Sequence, residues 1–256
     1  MLNVAVDGRK IVYEKIGAGP RSVIFVHGGF GSSSVLWRET MARLPATRTG
    51  YAINNFVWSE APPDGYSVHA FARRVVNFAA TLGVERPVLV GHSMGGVVCQ
   101  LAALAAPDKI GGLVLIGTGA SVRGHGLARG LLAEMERDGV SPAQIRKTSE
   151  HWFATAPKDF FERYVDAAVQ TPGQAIIDVQ RSLIETDLED RLGDIACPAL
   201  IVHGRLDGGR TVDHAQTLHR GIKDSELLIL DRCGHSPMVE APAEFDARFH
   251  AFLARV

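Results

Sequence analysis

The chain has 256 residues, is 46% hydrophobic and carries a net charge of -1. That length suits one large domain, or one domain with an insertion, and the apolar content is ample for a core. Balanced charge without a Lys/Arg cluster argues against a nucleic acid or a membrane surface as partner. Residues 1–8 lack the basic start, apolar centre and cleavage site of a signal peptide. No apolar run reaches the ~18–20 residues of a membrane span. The three cysteines, Cys99, Cys197 and Cys233, are odd in number and lack metal-ligand spacing. They read as reduced thiols of a cytoplasmic protein with no metal site.

In chain order, residues 2–6 and 10–15 flank the turn dipeptide Asp7-Gly8 and predict a β-hairpin. Residues 22–26 are an unbroken apolar run, as expected of a strand covered on both faces. The run ends in His27-Gly28-Gly29-Phe30. A helix is predicted over residues 34–44 and a strand over 51–55. A further helix over 66–82 is capped by Ser67 and stopped by Gly83. Residues 87–90 form a buried strand. Gly91-His92-Ser93-Met94-Gly95-Gly96 then leads into an apolar helix ending at Pro107. The next strand covers 113–116. Strands alternating with helices in this way argue for a parallel α/β sheet.

From Gly119 to Asp194 no strand is predicted. Helical stretches over 127–137, 142–153, 158–168 and 174–183 suggest a cap over the strand ends, where open α/β sheets bind ligands. Residues 119–194 are therefore expected to be a helical cap, with 1–118 and 195–256 forming one core. Trp152, Phe153, Phe160, Phe161 and Tyr164 are expected mostly to pack the cap onto itself. His125 and His151 read as surface or hinge residues. The sheet resumes at 199–202, followed by Asp207, a helix over 212–218, a last strand over 226–230, Gly234-His235 and a terminal helix to Arg255.

Ser93 carries the clearest chemical signal. A serine on a tight strand-to-helix turn is held in a strained conformation with its hydroxyl outward, and glycines at 91 and 95 remove the side chains that would collide. The following helix points its positive end at the same spot. Asp207, just past a buried strand, reads either as a capping residue or as the partner of a catalytic imidazole. His235 lies in a loop at the same edge of the sheet and suits a general base. Cys233, two residues before it, has a poorer setting for a nucleophile than Ser93. Backbone N–H groups of Gly29 and Met94 are the candidate oxyanion donors. Phe30, Trp58, His92 and Trp152 are the candidate substrate-contact residues. Glu240 either braces the His235 loop or is a plain surface residue.

The order Ser93, Asp207, His235, the Gly-His-Ser-Met-Gly-Gly turn, His27-Gly28-Gly29-Phe30 and His203-Gly204-x-x-Asp207 together resemble the α/β-hydrolase superfamily in its serine-nucleophile branch. The resemblance spans nearly the whole chain. It implies an eight-stranded, mostly parallel sheet with helices on both faces and a cap inserted after the sixth strand. Where many relatives carry Asp-x-x-Gly-x-Gly after the fourth strand, this chain reads Asn54-Asn55-Phe56-Val57-Trp58-Ser59-Glu60, so the pocket wall there is expected to differ. The implied activity is hydrolysis of a small carboxylic ester or lactone through an acyl-enzyme on Ser93, with a small-molecule substrate and no cofactor. Rival readings on the same triad are a carbon–carbon bond hydrolase of the meta-cleavage type and a cofactor-free perhydrolase. A catalytically silent binding module is the rival from another class.

Overall fold

The computed structural model describes residues 1–256. The chain begins with β1 (Leu2–Val6), β2 (Arg9–Ile16), β3 (Arg21–Val26), α1 (Ser33–Ala42), β4 (Arg48–Ile53) and α2 (Val68–Thr81). It continues with β5 (Val88–His92), α3 (Met94–Ala105) and β6 (Gly112–Ile116). Four helices follow: α4 (Gly126–Asp138), α5 (Pro142–Glu150), α6 (Lys158–Ala168) and α7 (Gly173–Glu185). The end is β7 (Ala199–Gly204), α8 (Val212–Gly221), β8 (Ser225–Leu230), α9 (Pro237–Glu240) and α10 (Pro242–Arg255).

One eight-stranded sheet runs β1-β2-β4-β3-β5-β6-β7-β8. Only β2 is antiparallel to its neighbours, as a hairpin with β1 and beside β4. The other pairings are parallel. The unbroken apolar runs follow from this. Successive side chains of a strand face opposite ways, and here both faces are covered. Ile24, Leu89, Leu113, Leu115 and Ile201 join the core beneath α2, α3 and α8. Val23, Phe25, Val90, Val114 and Val202 join the opposite core with α1 and α10. Fully burying each such side chain contributes about 1.5–3 kcal/mol.

Helices α4 to α7 have a small core of their own, built from Leu132, Met135, Ile145, Ile176 and Ile177. Phe30, from the loop after β3, plugs into it. The two ends of this insertion meet: Ser121 and Asp187 form an antiparallel bridge. Phe160 stacks on Tyr164 with ring centroids 6.0 Å apart, but both join the core shared with α1 and α10, so they pack the segment onto the sheet side as well as onto itself. The helix that falls furthest short of its predicted end bears on the site. α5 ends at Glu150, so Trp152 and Phe153 lie in the turn beyond it.

Candidate active site

The tight turn at Ser93 is built by close packing. A Cβ at position 91 would stand 2.3 Å from the Gly95 carbonyl oxygen. One at position 95 would stand 2.4 Å from that of Val26. Both contacts are far inside van der Waals range, so only glycine fits. Between them Ser93 adopts φ 54°, a strained value for a residue with a side chain. Its N–H donates to the Ile116 carbonyl at 2.9 Å, and its own carbonyl accepts from Thr118 Oγ1 at 2.7 Å. The turn is thus bolted to β6 while Ser93 itself stays half-exposed among buried neighbours.

Ser93 shares the wall of a cavity of about 420 Å³ with Gly29, Met94 and His235. No hydrogen bond joins Ser93 Oγ to the His235 ring in this structure; such bonds often tighten only with substrate. Gly29 and Met94 line the same space, and neither amide donates to a protein acceptor. His27 fixes the Gly29 loop from behind. Its Nε2 accepts from the Asn55 N–H at 3.1 Å, so the proton sits on Nδ1, which donates to the Gly28 carbonyl at 2.9 Å. Burial pushes its pKa down to about 4, and the ring stays neutral.

His235 Nδ1 lies 2.7 Å from Asp207 Oδ2. The other oxygen of Asp207 accepts from the Gly209 and Arg210 amides at 2.7 and 2.9 Å. Burial alone would raise the Asp207 pKa, but His235, His203 and these amides outweigh it and hold the carboxyl down at about 2. With Nδ1 engaged by the carboxylate, Nε2 makes no hydrogen bond to the protein. The His235 main chain is held as firmly: its N–H donates to the Trp152 carbonyl at 2.8 Å, and its carbonyl receives His92 Nε2 at 3.0 Å.

Glu240 proves to be a clasp. Its Oε2 accepts from the Ala154, Thr155 and Gly234 amides at 2.8, 3.0 and 3.0 Å, and its Oε1 accepts from the Ser236 amide at 3.0 Å. One carboxylate thus ties the turn after α5 to the His235 loop.

Of the four candidate contact residues, Trp152 lines the cavity. Phe30 is completely buried behind it, with ring centroids 4.6 Å apart. His92 is buried under His235, occupied with that residue's carbonyl. Trp58 is 40% exposed beside a separate surface groove. Its stretch turns away because Trp58 takes φ 67° and Arg74 holds the Asn55 and Glu60 carbonyls at 3.0 and 2.6 Å. His125 and His151 lie at the surface as expected, at the ends of α4 and α5, and both also border the cavity. Sequence reasoning also missed Gln180, Lys147 and Arg210 on that wall. For Arg210 a signal existed: a cationic residue three positions past Asp207, at the end of a buried strand.

The profile of the alpha/beta hydrolase family matches residues 23–248. Among curated proteins, the chain is 28% identical to the 2-hydroxy-6-oxononadienedioate/2-hydroxy-6-oxononatrienedioate hydrolase of Paraburkholderia xenovorans strain LB400, covering 97% of this chain and 92% of that protein. It is 26% identical to the pimeloyl-[acyl-carrier protein] methyl ester esterase of Vibrio vulnificus strain YJ016, covering 93% and 96%. An esterase structure from Exiguobacterium antarcticum superposes with a TM-score of 0.89 at 22% identity, covering 98% of each chain. No helix is long and apolar enough to cross a membrane.

Proposed function

Since the chain belongs to the alpha/beta hydrolase family and is a hydrolytic enzyme, we propose that it cleaves a small carboxylic ester or lactone through an acyl-enzyme on Ser93. The observation that carries this reading is the 2.7 Å bond from His235 to Asp207, on a ring that shares one cavity with a strained serine and two free amides. Ser93 Oγ attacks the carbonyl carbon while His235 Nε2 takes its proton. Asp207 stabilises the imidazolium that forms. The oxyanion is met by the N–H groups of Gly29 and Met94; loss of one such donor typically costs ~10²–10³ in rate. The intermediate collapses, the C–O bond breaks and His235 returns the proton to the leaving alcohol. Water, deprotonated by the same ring, releases the acid and restores Ser93. Every step uses groups of the chain, the substrate and water.

In this reading residues 119–194 act as the cap that closes the cavity over a core formed by 1–118 and 195–256. The three buried free thiols favour the cytoplasm as its compartment. The relative from Paraburkholderia xenovorans favours a second reading, hydrolysis of a carbon–carbon bond in a vinylogous diketone by the same triad.

Ser93→Ala is expected to lower turnover of p-nitrophenyl butyrate by ~10⁴-fold or more, and a fluorophosphonate is expected to label Ser93 alone. Near-parental turnover in that variant, or labelling elsewhere, removes Ser93 from the mechanism. A panel of esters, lactones and vinylogous diketones, with Ser93→Ala as the blank, separates the two readings.

A further inference from the structure

Three arginines are buried in this protein: Arg48, Arg74 and Arg210, at 4%, 4% and 6% exposure. Two of them have partners. The Arg48 guanidinium donates to the Leu253 and Val256 carbonyls, and that of Arg74 to the Asn55 and Glu60 carbonyls. Arg210 has none. Its guanidinium makes no hydrogen bond or ion pair with any protein group, lies over no aromatic ring, and its buried Nη1 is an orphan. Yet Arg210 lines the cavity that holds Ser93 and His235.

An ionised side chain withdrawn from water costs several kcal/mol unless it is paired. The carboxylate that acts on Arg210 is that of Asp207. It stands outside ion-pair range, already committed to the His235 ring and two amides. The other charges on the wall, Glu134 and Lys147, are of opposite sign and belong to exposed residues. The buried charge left unanswered is therefore positive. His125, on the same wall, reinforces it: its Nδ1 accepts from the Ala128 amide, which leaves Nε2–H as a donor. A guanidinium in such a place matches the planar, two-oxygen geometry of a carboxylate.

We propose that Arg210 is a substrate anchor, and that the natural substrate is an ester or lactone bearing a free carboxylate, which Arg210 grips while Ser93 attacks the acyl carbon. The inference rests on the serine-hydrolase reading and narrows its substrate class. It assigns specificity to a residue fixed to the core by its own backbone bond to Asp207, so the anchor shares one loop with the carboxylate that holds His235.

The test pairs monoethyl succinate, adipate and suberate with the neutral ethyl esters of butanoic, hexanoic and octanoic acid. In the parent enzyme kcat/KM for the best anionic ester is expected to exceed that of its neutral match by about tenfold or more. In Arg210→Gln the ratio falls toward one, mainly through KM of the anionic ester, and Arg210→Lys restores part of it. A parent ratio at or below one across the series, or equal losses on both members of each pair in Arg210→Gln, overturns the anchor. Calorimetry of adipate and adipamide with Ser93→Ala, with and without Arg210→Gln, distinguishes failure of the underlying reading. Arg210-dependent binding of adipate without cleavage of any ester keeps the anchor and sinks ester hydrolysis. Ser93-dependent cleavage with no preference for adipate over adipamide does the reverse.

Discussion

At the scale of single residues, the site depends on atoms that are absent as much as on those present. Gly91 and Gly95 are legible as turn glycines because they flank a serine between a strand and a helix. Replacing Gly91 by alanine drives a methyl to 2.3 Å from the Gly95 carbonyl oxygen. A backbone contact cannot rotate away, so Gly91→Ala is expected to destabilise the protein by about 3 kcal/mol or more. A urea midpoint unchanged from the parent would show that the turn is looser than described. Ser93, Asp207 and His235 were equally legible, since each follows an apolar strand at one edge of the sheet. Arg210, His125 and His151 were not. The position of Arg210 just past Asp207 is a hint, but whether a charged side chain points at water or into a cavity depends on helices far away in sequence. Trp58 misled for the same reason: a large ring after a strand suggests a pocket wall, but its backbone turns outward.

At the scale of elements, most boundaries follow from local chemistry. Ser67 caps α2 by accepting from the Ala70 amide at 3.0 Å, and Ser141 caps α5 by accepting from that of Gln144 at 3.1 Å. The C-terminus of α5 obeys tertiary demand instead. The helical pattern runs on to Phe153, but the Trp152 carbonyl is required by His235 and the Ala154 and Thr155 amides by Glu240. Three long-range bonds to His235 and the Glu240 carboxylate outweigh the few tenths of a kcal/mol that helix propensity offers. Glu240→Ala strands four amides and frees the His235 loop. It is expected to lower kcat on p-nitrophenyl butyrate by about tenfold or more and stability by about 2–3 kcal/mol. Glu240→Gln, which keeps only one good acceptor, falls between. Full activity in Glu240→Ala would mean that the imidazole is positioned by Trp152 and His92 alone.

At the scale of the whole molecule, buried histidines set how stability responds to acid. His27 is held neutral in the native state down to about pH 4, whereas the unfolded chain takes up a proton near 6.5. Between those values the unfolded state binds more protons, so stability falls as pH falls. His27 alone accounts for about 3 kcal/mol over that window. Burial lowers His92 and His203 as well, which adds in the same direction. Asp207 works in the same direction in a lower window: its folded pKa is depressed to about 2, so its contribution is intact above 3.8 and fades only as pH falls below that. Urea midpoints at pH 7, 5.5 and 4 are expected to decline steadily, and the decline is expected to shrink in His27→Gln; a flat profile above pH 4 would contradict neutral burial of these rings. The stitch between Ser121 and Asp187 also has a consequence for engineering. The segment between β6 and β7 has its two ends held together by this bridge before they join the strands. Any sequence put in its place must still offer a pair of peptide nitrogens to Glu240, so that one glutamate dictates what backbone can follow α5.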